Sequence, residues 1–240
     1  MAVNPVLTST EPLPFLQAMM KAVTSPKTAT FRNLAQNPKA SAGQGFLWVA
    51  ITAAIASLVS GVLFTIFPNW DLPIREFLRS MGQYGDISPM EEFFAGQRTG
   101  IFSFAITLVC GVPLGVLGAL LGLAIGAGLM HVSASLLGGR GDYGKMVYML
   151  ALVQAPVTLV NSLLVPIPYL GCLSFLIGLY FFVLVILAIE GVYQFGVGKA
   201  ALAYFIPVIV VCLAVVCIAV GIIALFSISL REVIPSLLVP

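Results

Sequence analysis

One stretch of the chain has the spacing of a phosphate cradle. Gly139-Arg140-Gly141-Asp142-Tyr143-Gly144 fits GxGxxG, and Gly139 to Lys145 fits GxxxxGK. Such loops hold phosphate by aiming backbone N–H groups at it from a strand-to-helix turn. No strand pattern precedes this segment. Apolar runs flank it, and residue 146 is a methionine where a hydroxyl would hold Mg²⁺. The expectation is a compact loop between two helices, built on Gly138, Gly139 and Gly141, that takes no nucleotide.

The other reactive residue types are sparse. His131 is the single histidine, so no three-ligand histidine metal site can form around it. It stands where an apolar run meets the glycine loop. A polar junction is the plain reading, and a pH-sensing or lipid-headgroup contact the sharper one. Cys110, Cys172, Cys212 and Cys217 lie in or beside apolar runs without a CxxC pair, and are expected to be buried apolar thiols. Neither HExxH nor GxSxG occurs, and Ser60, Ser103, Ser133 and Ser162 have no histidine or lysine beside them in sequence. The chain is therefore expected to be no enzyme and to need no metal or cofactor. Gln154, Thr158 and Asn161 follow at i, i+4 and i+7, which places them on one helix face. In a bilayer such a face bonds across helices or lines a path for a small solute.

The elements that must carry these residues follow from composition. Apolar residues make up 60% of the chain and charged residues 8%, too few charges to cover a soluble globule of 240 residues. A net charge of +2 is too small for a nucleic-acid surface. Five stretches contain no Asp, Glu, Lys, Arg or His: Phe46 to Phe67, Ile101 to Met130, Met146 to Val165, Leu170 to Ile189, and Ala200 to Ser229. A helix of roughly 20 residues crosses a hydrocarbon core of about 30 Å. The expected fold is thus an all-α bundle of five membrane spans (46–67, 101–130, 146–165, 170–189, 200–229). The long second and fifth spans must tilt or kink, with Pro113 and Pro207 near their starts.

Basic residues set the orientation. Lys21, Lys27, Arg32, Lys39, Arg140, Lys145 and Lys199 fall on the side of the N-terminus, against Arg75, Arg79, Arg98 and Arg231 on the other. That bias implies a cytoplasmic N-terminus and an external tail at 230–240. Residues 1–45 read as a cytoplasmic tail with one or two interfacial amphipathic helices. The first carries Phe15, Leu16, Met19, Met20 and Val23, and the second starts at Ser25-Pro26. The acidic loop Pro68 to Gly100 is expected at the outer surface. Gly111 and Gly115 form one GxxxG pair in the second span, and Gly118, Gly122 and Gly126 form two overlapping ones, which give a smooth face for close helix packing. That face is expected to meet a neighbour within the chain and to make the second span the packing centre.

The order of short motifs resembles the Yip domain family in its bacterial branch. The carrying residues are Lys21-Ala-Val-Thr-Ser-Pro26-Lys-Thr-Ala-Thr-Phe31-Arg-Asn-Leu34, then His131-Val-Ser-Ala-Ser-Leu-Leu-Gly138-Gly139-Arg-Gly141. Tyr148, Pro156, Pro168-Tyr-Leu-Gly171, Gly191-Val-Tyr-Gln-Phe-Gly-Val-Gly-Lys199-Ala200 and Pro207 follow. The family takes its name from eukaryotic members that interact with Rab-type GTPases. The resemblance implies five spans, a cytoplasmic N-terminus and work done through partners, and it brings no catalytic residues. The expectation is a membrane-organising or partner-binding scaffold of the bacterial inner membrane. Its partners would be lipids, other membrane proteins or a second copy of the chain. A small-solute permease using Gln154, Thr158 and Asn161 is the alternative.

Overall fold

The computed structural model describes residues 13–66, 105, 107–167 and 170–237. The acidic loop Pro68 to Gly100 lies outside them, as do Pro168 and Tyr169 of the turn between the third and fourth spans. The described residues are all-α. Two short helices, α1 (Phe15–Thr24) and α2 (Thr28–Ala35), precede α3 (Ala42–Ile66), α4 (Val112–Leu136), α5 (Tyr143–Leu164), α6 (Gly171–Tyr193) and α7 (Val197–Leu237). The last five each contain a segment long and apolar enough to cross a membrane.

The spans outrun their uncharged stretches because helix ends tolerate polar residues that hydropathy does not. α5 starts at Tyr143, with Asp142 as its N-cap: the carboxylate Oδ2 accepts from the Lys145 N–H at 3.0 Å. α6 continues past Ile189 to Tyr193. The stretch from Ile101 to Phe104 lies outside the described residues. A π-helical turn, Thr107–Gly111, leads into Val112-Pro113, where proline has no N–H to give the preceding turn. α7 carries Pro207 in its interior and, at 41 residues, runs on to Leu237. The segment 230–237 is helical.

Packing corrects the expected centre. Half of the apolar window of α5 is buried, against 6% for the glycine-rich α4 and 11% for α7. α5 is the axis of the bundle. α3 lies along it, and the two backbones close at Gly45, where an added Cβ would stand 3.1 Å from the Val147 carbonyl oxygen. Among the described residues, Gly115 is the α4 glycine that meets a neighbour, its added Cβ falling 2.8 Å from Ser57 Oγ, and none of those residues lies within 4 Å of a Cβ at Gly118, Gly122 or Gly126. Gly111 closes the π turn. The physical reason is that the core is filled chiefly by α5 and α6, with Met146, Tyr148, Met149 and Leu152 of one and Leu184 and Ile189 of the other, while α4 contributes Leu123, Ala127 and Ala134 rather than its glycines. The cysteines are corrected likewise: all four are exposed on the bundle surface.

The tail helices also differ from expectation. Ser25 ends α1, its N–H bonded to the Lys21 carbonyl, and Pro26 sits in the connection. α2 starts at Thr28 because Lys27 is still extended and its N–H turns back to the Ser25 carbonyl at 2.8 Å. Both helices dock on the bundle rather than resting only against a leaflet. Phe15, Ala18, Ala22, Phe31, Leu34 and Ala35 are buried in the common core. Phe15 stacks on Trp48, with ring centroids 4.8 Å apart.

Candidate functional site

Three of the motif segments, around Arg32, Gly138 to Gly141 and Gly191 to Phe195, meet at the end of the bundle where α2, the α4–α5 loop and the α6–α7 turn come together. Local chemistry builds each piece. α4 stops in a Schellman motif: the Gly139 N–H bonds the Ala134 carbonyl at 2.9 Å and the Gly138 N–H the Ser135 carbonyl at 3.0 Å. Gly138 takes φ +86°, a left-handed conformation that glycine adopts without strain. The loop then runs against the aromatic end of α6. A Cβ on Gly139 would stand 2.7 Å from the Phe195 ring, and one on Gly141 2.6 Å from the Tyr193 ring. The glycines of the cradle-like motif thus admit two side-chain rings.

His131 lies within α4, about a turn and a half before its end, not at its junction with the loop. Its Nδ1 is hydrogen-bonded to the Tyr193 hydroxyl, and its ring faces the edge of Tyr143 at 5.9 Å. The Tyr143 hydroxyl donates to the Ala124 carbonyl at 3.2 Å. Histidine therefore ties the α4 end to the α6 end. We expect Tyr193→Phe, which keeps the ring against Gly141 and deletes the hydroxyl, to lower stability by about 1 kcal/mol. Thermal denaturation in detergent reads that loss, and no change would mean the bond contributes nothing.

The charged centre of this end is a pair that sequence spacing did not reveal. Arg32 of α2 reaches Glu190 of α6: Nε donates to Oε1 at 3.1 Å, and Nη2 also bonds that oxygen. Glu190 is 1% exposed, whereas the Arg32 side chain is 46% exposed. The hydrogen bond to Glu190, and then its charge, raise the Arg32 guanidinium above its ordinary value, so it stays ionised. Glu190 Oε2 has no partner among the described residues. Beside the pair, α2 rests its backbone on Gly191, where an added Cβ would stand 2.8 Å from the Phe31 carbonyl carbon. The overlooked signal was an acid directly after an uncharged run; an ionisable residue within a span invites a functional reading.

Gln154, Thr158 and Asn161 are half-buried along α5. Asn161 Oδ1 is buried without a partner among the described residues. The nearby groove formed by Leu58, Val59, Val62, Leu63 and Leu163 is apolar and includes none of the three.

An all-α bundle with five apolar spans, its flanks covered by exposed Leu, Ile and Val, defines a multi-pass integral membrane protein. The chain belongs to the Yip1 domain family, whose model matches residues 20–220. No curated protein and no solved structure gives a significant match to the chain.

Proposed function

We propose that this protein is a non-enzymatic membrane scaffold of the bacterial inner membrane, with its N-terminal end in the cytoplasm, that organises lipid or holds partner proteins. The observation that carries this reading is where the polar groups at that end are directed. Arg32 engages Glu190, His131 engages Tyr193, and Asp142 caps α5. Each joins or finishes structural elements, and together they make a composite surface from segments far apart in sequence. Seven basic residues on this side against four on the other support the cytoplasmic assignment. The face at Gly118, Gly122 and Gly126, open among the described residues, suits a helix of a membrane partner or of a second copy.

The test uses exposed residues, because α1 and α2 belong to the core and their deletion would unfold it. Arg140→Glu with Lys145→Glu should abolish capture of specific proteins from detergent extracts while leaving the melting temperature unchanged. An unaltered set of captured proteins would overturn the reading. The unpartnered Asn161 Oδ1 favours a second one, a solute path along α5. Solute flux into liposomes that disappears in Gln154→Leu with Asn161→Leu would establish it in place of the scaffold.

A further inference from the structure

α1 has three faces. At about 100° per residue, Phe15, Ala18 and Ala22 share one third of its circumference and are buried. Gln17, Lys21 and Thr24 share another and are exposed. The remaining third carries Leu16, Met19, Met20 and Val23, and here Leu16 is 55% and Met20 59% exposed. A helix between protein and water needs two faces. The third calls for a third medium.

α1 runs down the side of the bundle. Phe15 touches Trp48 and Tyr148, which lie about 9 Å and 8 Å inside the ends of α3 and α5. At the other end of α1, the Val23 carbonyl accepts a hydrogen bond from the Tyr180 hydroxyl. Tyr180 lies about 20 Å before the end of α6. The descent equals the rise of about 12 Å from Phe15 to Val23 along a helix. α2 then climbs back, placing Phe31 and Arg32 at Gly191 and Glu190, within one turn of the end of α6. Ser25, Pro26 and Lys27 therefore form the tip of a hairpin set well below the end of the bundle. Its backbone is satisfied locally, as non-helical chain at membrane depth must be: Ser25 N–H goes to the Lys21 carbonyl and Lys27 N–H to the Ser25 carbonyl.

We propose that α1 and α2 form a re-entrant hairpin in the leaflet, and that Lys21 and Lys27 draw anionic phospholipid headgroups down to its tip. Both lysines are exposed, and neither has an ion-pair partner among the described residues. An ammonium group held at that depth requires a counter-charge, and the phosphate of an anionic lipid is the anion that a leaflet supplies. Leu16 and Met20 meet the acyl chains, continuing the apolar flank of α3 at Leu47 and Ile51, which are 56% and 38% exposed. The inference rests on the membrane-organising reading and specifies its lipid.

The test uses the full chain in nanodiscs of phosphatidylcholine with and without phosphatidylglycerol. A nitroxide at Leu16→Cys, with the four native cysteines replaced by alanine, should be relaxed by oxygen more than by a water-soluble nickel chelate. A nitroxide at Asn33→Cys should show the reverse. Native mass spectrometry should show preferential retention of phosphatidylglycerol, falling about five-fold per lysine in Lys21→Gln and Lys27→Gln with the melting temperature kept. Water exposure at Leu16, or unchanged lipid preference in Lys21→Glu with Lys27→Glu, would overturn the proposal. Failure of protein capture would leave these readouts untouched, so the two ideas can fail separately.

Discussion

Arg32→Ala is expected to destabilise the protein at least twice as much as Glu190→Gln, and the double variant to recover part of the loss. The two partners of this ion pair do not share the same surroundings. Glu190 is 1% exposed and the Arg32 side chain 46% exposed. Removing arginine strands a carboxylate inside the bundle, with Oε2 already lacking a partner among the described residues. Removing the carboxylate charge leaves a guanidinium that reaches solvent. Breaking a buried pair from one side penalises the fold chiefly through the charge left behind, which is why removing both is gentler than removing one. Arg32→Lys should fall between, since it keeps the charge but loses the Nε bond. Melting temperatures from fluorescence-detected gel filtration in detergent supply the double-mutant cycle. Equal losses in Arg32→Ala and Glu190→Gln would show that the stranded carboxylate is not the dominant cost, and additive losses in the double variant would show that the pair makes no net contribution to the fold.

This pair also marks where sequence reading stops. The five spans were legible because an uncharged run of some 20 residues has few other homes than a bilayer. Their ends were not, since Gln44, Lys145 and Glu190 interrupt hydropathy without interrupting the helix. Arg32 and Glu190 stand 158 residues apart, and nothing local to either points to the other. The glycines of α4 were legible as a smooth face, but spacing does not say what lies opposite. Ser57 meets Gly115, and none of the described residues comes within 4 Å of a Cβ at Gly118. α1 shows the same limit differently. Its apolar positions announce an amphipathic helix, yet periodicity alone cannot separate the side that faces protein, Phe15 and Ala18, from the side that faces lipid, Leu16 and Met20.

Enlarging Gly191 should separate α2 from α6. A Cβ at that position would stand 2.8 Å from both the carbonyl carbon and the Cβ of Phe31 and 2.9 Å from its carbonyl oxygen. A flexible side chain could turn aside, but these atoms belong to the backbone and its first carbon, so α2 must retreat as a body. Overpacking a tight core costs about 1–3 kcal/mol, and Gly191→Ala should reach the upper end, with Gly191→Leu beyond it. The retreat would also stretch the Arg32–Glu190 contact one residue away. The loss should therefore shrink when Gly191→Ala is placed in the Arg32→Ala, Glu190→Gln background, a coupling that sterics confined to Phe31 would not produce. Gly122→Ala is the control: nothing lies within 4 Å of its Cβ, and alanine favours a helix over glycine by about 1 kcal/mol. If Gly122→Ala leaves the melting temperature intact while Gly191→Ala lowers it, the tail and α6 approach closely and α4 has no such contact at Gly122. The face of α4 then stays open, among the described residues, to a neighbouring helix. Loss of stability in Gly122→Ala alone would reverse that assignment.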